Sequence, residues 1–276
     1  DSARTKSFDR DHRRIINFNI GKYDAAVDRG LSKFSNLENS KRKGHVVKWK
    51  VMENLDKFLP EFEANFQRKG GKVIWANDQD EAKNEILKII QKAGAKTVIK
   101  SKSMVTEEIQ LNEFLEHHQI ETLESDLGEY IVQLLGQKPY HIVTPAMHLS
   151  KEDIAKLFHE RFGTPIDATP EQLTLKAREL LRSKYLSADV GITGGNFIVA
   201  DTGSIALTEN EGNARLTTTF PKIHIAVIGV EKIIPSMAEL DLFWPLLSSR
   251  GTGQNLTVYN TILGGPRQKD ATDRPE

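Results

Sequence analysis

Apolar positions Val46, Val47, Trp49, Val51, Met52, Leu55, Phe58, Leu59, Phe62 and Phe66 recur at mixed steps of three and four residues. That spacing lines one face of an amphipathic helix and predicts a single long N-terminal helix over 46–68, ended by Gly70 and Gly71. Short apolar runs then alternate with helical ones. Residues 73–76 read as a strand, and Asp78 with Glu81 three positions on predicts a capping box opening a helix that Gly94 closes. The series continues as strand 97–100, helix 106–118, strand 121–124 and strand 141–144. Ser150 with Asp153, and Thr169-Pro170 with Gln172, open two further helices that end near Phe162 and Leu186.

Alternating strands and amphipathic helices build a parallel sheet through right-handed crossovers, so the predicted fold class is α/β, a mainly parallel sheet flanked by helices. From Asp189 the texture changes. Runs 190–193, 197–200, 204–208 and 223–230 are β-rich, and the first three leave no room for helices between them. A β-hairpin-rich segment is therefore expected to join the sheet, followed by a late helix capped by Ser236 and Glu239 and a last strand over 256–263. Three regions follow: a basic arm and long N-terminal helix over 1–68, an α/β domain over 69–265, and a polar stretch over 266–276 read as the start of a linker to a further domain.

Composition narrows the function. Lys+Arg 38 against Asp+Glu 38 leaves no excess of positive charge for phosphate neutralisation, which argues against nucleic acid as the main partner. A local excess exists: residues 1–50 carry 13 Lys and Arg against 6 Asp and Glu, read as a solvated arm. No run approaches the ~18 apolar residues of a membrane span, and residues 1–14 have no apolar core of a signal peptide, so no membrane span and a cytoplasmic location are expected. With no cysteine, disulfides, thiolate metal ligands and cysteine nucleophiles are excluded from this chain.

Several blocks carry candidate chemistry. Gly191 to Asn196 runs a strand into the Gly194-Gly195-Asn196 turn, whose backbone N–H groups suit an anion, or which is a plain turn with left-handed glycines. It lacks the Lys-Ser/Thr ending of a phosphate-binding P-loop and the spacing of a dinucleotide fingerprint. Asp201-Thr202-Gly203 has no second copy, so the paired carboxylates of an aspartic protease are missing, and it reads as a hairpin loop. Glu211, Asn213 and Arg215 surround Gly212; Arg215 offers a bidentate clamp for a carboxylate or phosphate. Lys102 and Ser103 follow a strand end, where ligands bind in open α/β sheets. Glu107 and Glu108 open the next helix, where the helix dipole alone accounts for acids. His141 and His148 bracket another strand end without a metal-binding spacing, which leaves an acid–base role.

The blocks at residues 100–109, 124–131, 141–148, 191–196, 201–204 and 211–215 occur in order, and together the chain resembles the lactate utilization protein B family over about residues 45–265. The resemblance implies a fold like that of ribose-phosphate isomerases and CoA-transferases. It implies a subunit of a cytoplasmic complex that oxidises L-lactate to pyruvate, working with other subunits of a lactate utilization complex. It also implies two [4Fe-4S] clusters in a C-terminal ferredoxin-like module, since this chain has no thiolates for them and so no cofactor of its own. By the same resemblance the pocket for a small carboxylate draws on Lys102, Ser103, Glu107, Glu108, Asp126, Glu129, Gly194, Gly195, Asn196, Asp201, Thr202, Gly203, Glu211, Asn213 and Arg215, with His141 and His148 as acid–base candidates. Two other readings keep the fold: a stand-alone domain binding a sugar phosphate, CoA ester or folate-like ligand, and a scaffold for partner subunits.

Overall fold

The structure, a computed structural model, describes residues 8–140 and 143–266. Its N-terminal third is helical: α1 (Arg10–Leu31), α2 (Leu37–Met52) and α3 (Leu55–Arg68). The single helix expected over 46–68 is thus two. Asn54 donates its side-chain amide to the Lys50 carbonyl, closing α2, and then stands at the start of α3. The break turns the apolar stripe: Val51, Phe58 and Phe62 are buried, while Val46, Trp49 and Met52 face solvent. Nor is the basic arm a free strand of chain. The Tyr23 hydroxyl donates to the Arg250 carbonyl at 3.2 Å and the Asn19 amide to Met147 O at 2.8 Å, docking α1 on later segments.

Helix α4 (Gln79–Lys92) starts at Asp78, whose carboxylate accepts from Asp80 N and Glu81 N. Only this half of the expected capping box forms, because Glu81 accepts from Asn77 N instead. The segment 73–76 is not a strand. It crosses α3, with Trp75 Nε1 donating to Glu63 at 3.0 Å and Val73 packed beside Phe62 and its neighbours.

The first sheet is built from β1 (Thr97–Lys100), β2 (Glu121–Glu124), β3 (Val190–Thr193) and β6 (Ile223–Ala226) in the order β2-β1-β3-β6, all parallel. Between β1 and β2 lie α5 (Met104–Glu108) and α6 (Leu111–His117), split where one helix was expected because Gln110 takes a left-handed φ of 54°. After β2 come α7 (Leu127–Leu134), α8 (Lys151–Phe162) and α9 (Pro170–Ser187). Both expected capping boxes, Ser150 with Asp153 and Thr169 with Gln172, are formed. One face of the sheet packs Val98, Val190 and Ile192 on Ile86, Ile90, Leu111 and Leu115; the other packs Ile99 on Tyr130, Leu181 and Tyr185. Each of these buried aliphatics contributes roughly 1.5–3 kcal/mol.

Of the strand expected over 141–144, His141 and Ile142 lie outside the described residues, and Val143 and Thr144 form no strand. The β-hairpin-rich segment also departs from expectation. Strands β4 (Phe197–Val199) and β5 (Ser204–Glu209) pair antiparallel, as the Asp201-Thr202-Gly203 loop predicted, but belong to a second sheet. Its order is β7-β4-β5-β8, with β7 (Ile233–Ile234) parallel to β4 and β8 (Tyr259–Leu263) antiparallel to β5. Gly203 has φ 54°, and a Cβ there would stand 2.3 Å from Phe66 N, so the hairpin loop closes directly on α3. Helix α10 (Asn213–Thr219) links β5 to β6, and α11 (Leu240–Thr252) precedes β8.

Candidate functional site

The carboxyl ends of β1 and β2 carry Lys100 and Glu124 as register partners. Parallel pairing puts both side chains on one face, so an ammonium meets a carboxylate at 2.8 Å with both side chains almost fully buried. Lys100 also reaches Glu107 of α5 at 3.1 Å and the Thr106 hydroxyl at 2.9 Å. Burial pulls its ammonium pKa down, but Glu124, Glu107 and Glu129 more than offset this and hold it above the ordinary lysine range. Oxygens of Glu107, Glu124 and Glu129 lie within 4.8 Å of one another. That trio resembles a cation site, yet the protein's own ammonium already sits among these carboxylates.

A second layer lies nearer solvent. Asp126 opens α7 by accepting from Gly128 N and Glu129 N, and its other oxygen takes Lys102 Nζ at 2.7 Å and Asn213 Nδ2 at 3.4 Å. Glu211 completes the group, accepting from Leu127 N at 3.5 Å. Although this side chain is open to water on one side, desolvation by the surrounding protein and the nearby Asp126 charge raise its carboxyl above the usual range, against the pull of Lys102. Lys102, Asp126, Glu211 and Asn213, far apart in sequence, are thus brought together. Ser103 caps α5, its hydroxyl accepting from Thr106 N, and packs against Gly194, where a Cβ would come within 2.8 Å of that oxygen.

Helix α10 enters under Glu209, which accepts from Ala214 N and Arg215 N at 2.8 Å each. The helix start is therefore already capped by a carboxylate rather than open to an anion. Burial nevertheless raises the Glu209 carboxyl, more than these N–H bonds and Arg215 lower it. Arg215 is exposed and sits over the Tyr259 ring, 5.7 Å from its centroid. Tyr185, hydrogen-bonded with Ser125 and Thr217, is pushed up to about 12 by burial and by Glu209 and Glu211.

Other sequence candidates stand elsewhere. Gly194 and Gly195 are not left-handed; a Cβ at Gly195 would meet Ile228 Cδ1 at 2.4 Å, so close packing accounts for it. Asn196 bridges to β5, its side chain accepting from Thr208 N and its N–H donating to Ala206 O. Asp201 accepts from Met237 N, and Thr202 and Gly203 belong to the hairpin loop beside α3. Glu108 is exposed. His148 is buried against the Tyr140 ring at 4.0 Å with Nε2 2.8 Å from Gln137 Oε1, while His141 lies outside the described residues. Lys100, Glu124, Glu209 and Tyr185 were not singled out from sequence; charged residues ending the apolar strands β1 and β2 were the available signal.

A parallel sheet flanked by helices, with a polar cluster at its carboxyl edge, defines the chain as an α/β protein. Its family is identified by the match of residues 59–274 to the LUD domain: the chain belongs to the LUD domain family. It is 46% identical over 250 residues to lactate utilization protein B of Bacillus licheniformis, covering 87% of this chain and 52% of that protein. It is 46% identical over 242 residues to lactate utilization protein B of Bacillus subtilis, covering 87% and 50%. To the uncharacterized electron transport protein YkgF of Escherichia coli it is 45% identical over 242 residues, covering 84% and 51%. The chain spans about half the length of the curated relatives it matches. A crystal structure of a DUF162 family protein from Deinococcus radiodurans matches 69% of this chain and 91% of that one at 19% identity, with a TM-score of 0.25, an overlap too small to compare geometry.

Proposed function

We propose that this chain is the ligand-handling part of an iron–sulfur subunit in a complex that oxidises L-lactate to pyruvate, working with other subunits in the cytoplasm. The observation that carries the reading is the 46% identity to proteins named lactate utilization protein B, sustained over 87% of the chain. An iron–sulfur cluster requires thiolates, and the donor set here is carboxylate, ammonium, amide and hydroxyl without a cysteine, so the residues present do not fit a cluster. We place the clusters in the part of the relatives that this chain does not span. No helix among the described residues is long and apolar enough to cross a membrane, in keeping with this reading.

Lactate presents a carboxylate and a neighbouring hydroxyl. Arg215, exposed at the rim, is the cation available to the carboxylate; Lys102 is held by Asp126. The test is the visible absorption of the full gene product, purified anaerobically with its partner subunits, before and after L-lactate. Bleaching of an iron–sulfur band supports the reading; a band that L-lactate leaves unchanged refutes the substrate, and no band refutes the redox role. Arg215→Ala should abolish growth on L-lactate while the protein stays folded, and normal growth removes Arg215 from the site.

A further inference from the structure

The two layers of the site differ in one respect. Every donor of the inner layer is engaged, whereas Glu124 Oε2 and Glu129 Oε2 are buried without a hydrogen-bond partner among the described residues. Both residues are almost inaccessible, at 3% and 4% exposure. Two carboxylate oxygens are acceptors only, so their approach inside protein is repulsive unless a proton lies between them. Lys100 supplies one positive charge to this space, and Glu107 and Glu124 both lean on it. Glu129 thus shares that one ammonium with two other carboxylates, since Lys102 is paired with Asp126.

We propose that Glu124 and Glu129 hold a single proton between them and that this acid–carboxylate pair, reached from solvent past the partly exposed Glu107, is the proton-exchanging group of the site. The charged groups facing it are Lys100 from β1, Glu107 from α5, and Asp126 beside it at the start of α7. Burial, then the charge of Glu124, push the Glu129 carboxyl up to about 9, with Lys100 pulling the other way. At neutral pH the pair therefore carries one proton and one negative charge, and Lys100 neutralises the latter. It is set one helical turn from Asp126, so a ligand at the outer ring lies next to a buried acid able to give up a proton, and next to a carboxylate able to take it back. This places acid–base chemistry on carboxyls rather than on His148, which stacks on Tyr140 and pairs with Gln137. The inference rests on the geometry of the pair and does not depend on lactate being the substrate.

Infrared and carbon NMR spectroscopy of the protein labelled with carbon-13 in its glutamate carboxyls read the proton directly. The expected result is a protonated glutamic acid signal that persists at pH 7 and disappears only as the pH approaches about 9. Glu129→Gln should remove that signal, and Glu124→Gln should move its titration down by about one pH unit or more, because the neighbouring negative charge is gone. Absence of a protonated glutamate at pH 7 in the unmodified protein overturns the proposal, as does survival of the signal in folded Glu129→Gln. Should that variant not fold, the titration of the unmodified protein and of Glu124→Gln decides.

Discussion

Replacing Lys100 by Met removes a buried ammonium while keeping an unbranched side chain of similar length. The ammonium is 2.8 Å from Glu124 and 3.1 Å from Glu107. Glu107 is about a third exposed and can turn to water, so the cost falls on Glu124, which retains Asn112 at 2.6 Å as its remaining donor. Breaking a buried ion pair costs about 3–5 kcal/mol. Protonation sets a ceiling on that loss: keeping a carboxyl with an ordinary pKa of about 4.3 neutral costs about 1.4 kcal/mol per pH unit above it, hence about 3.7 kcal/mol at pH 7 and about 1 kcal/mol at pH 5. Urea unfolding of Lys100→Met should therefore show a loss of about 3–4 kcal/mol at pH 7 that shrinks severalfold at pH 5. Adding Glu124→Gln should recover most of the loss at pH 7, since the orphaned charge is then gone. A loss equal at both pH values, or under about 1 kcal/mol at pH 7, would refute the assignment of Lys100 as the counter-charge of Glu124.

Gly191→Ala should destabilise by about 1–3 kcal/mol in thermal or urea unfolding, because its Cβ would stand 2.2 Å from the Thr217 carbonyl oxygen and force α10 off β3. His224 is lowered to about 4 by burial and lies 2.9 Å from the Thr193 hydroxyl. The unfolded chain takes up its proton first as the pH falls from about 6.5, so stability should drop by about 1.4 kcal/mol per unit down to about pH 4, and His224→Gln should flatten that slope in urea unfolding. Because the Glu211 carboxyl is raised beside Asp126, a carboxylate ligand at the outer ring should bind with proton uptake. Calorimetry with L-lactate in two buffers of different ionisation enthalpy measures that uptake; Glu211→Gln should abolish it, and buffer-independent heats in the unmodified protein would refute it.

What the sequence made legible was local. Ser150 with Asp153 and Thr169 with Gln172 cap their helices within a single turn, and both boxes form as the spacing predicts. The strands of the parallel sheet were legible for the same reason, as short apolar runs between caps. The break at Asn54 was not, because a side chain closing on the Lys50 carbonyl leaves the apolar period undisturbed while redirecting the chain. The second sheet was hidden too: β4 pairs with β7 and β5 with β8 across long stretches of chain, and pairing at that distance leaves no mark on either strand alone. Of the side chains that meet at this edge, Lys102, Glu211 and Asn213 stood out as local blocks and Asp126 through the family resemblance, whereas Lys100 and Glu124 passed as strand ends. Only the register Lys100 to Glu124 shows that the two charges meet.

The second sheet explains why the site lies where it does. A parallel sheet alone would offer Lys100, Glu124 and Asp126 at its carboxyl edge, with Lys102 and Asp126 paired to each other and open to water. Strand β5 leaves the second sheet at Glu209, and β8 supports it from the side with Tyr259 paired to that residue. From there the chain turns at Gly212, φ 79°, and starts α10, which packs across β3 at Gly191. This path carries Glu211, Asn213 and Arg215 over the edge of the first sheet and sets Asn213 against Asp126. The hairpin-rich segment thus acts as the wall that turns an open strand edge into a two-layered site, and the lower dielectric behind that wall favours a neutral Glu129 beside a charged Lys100.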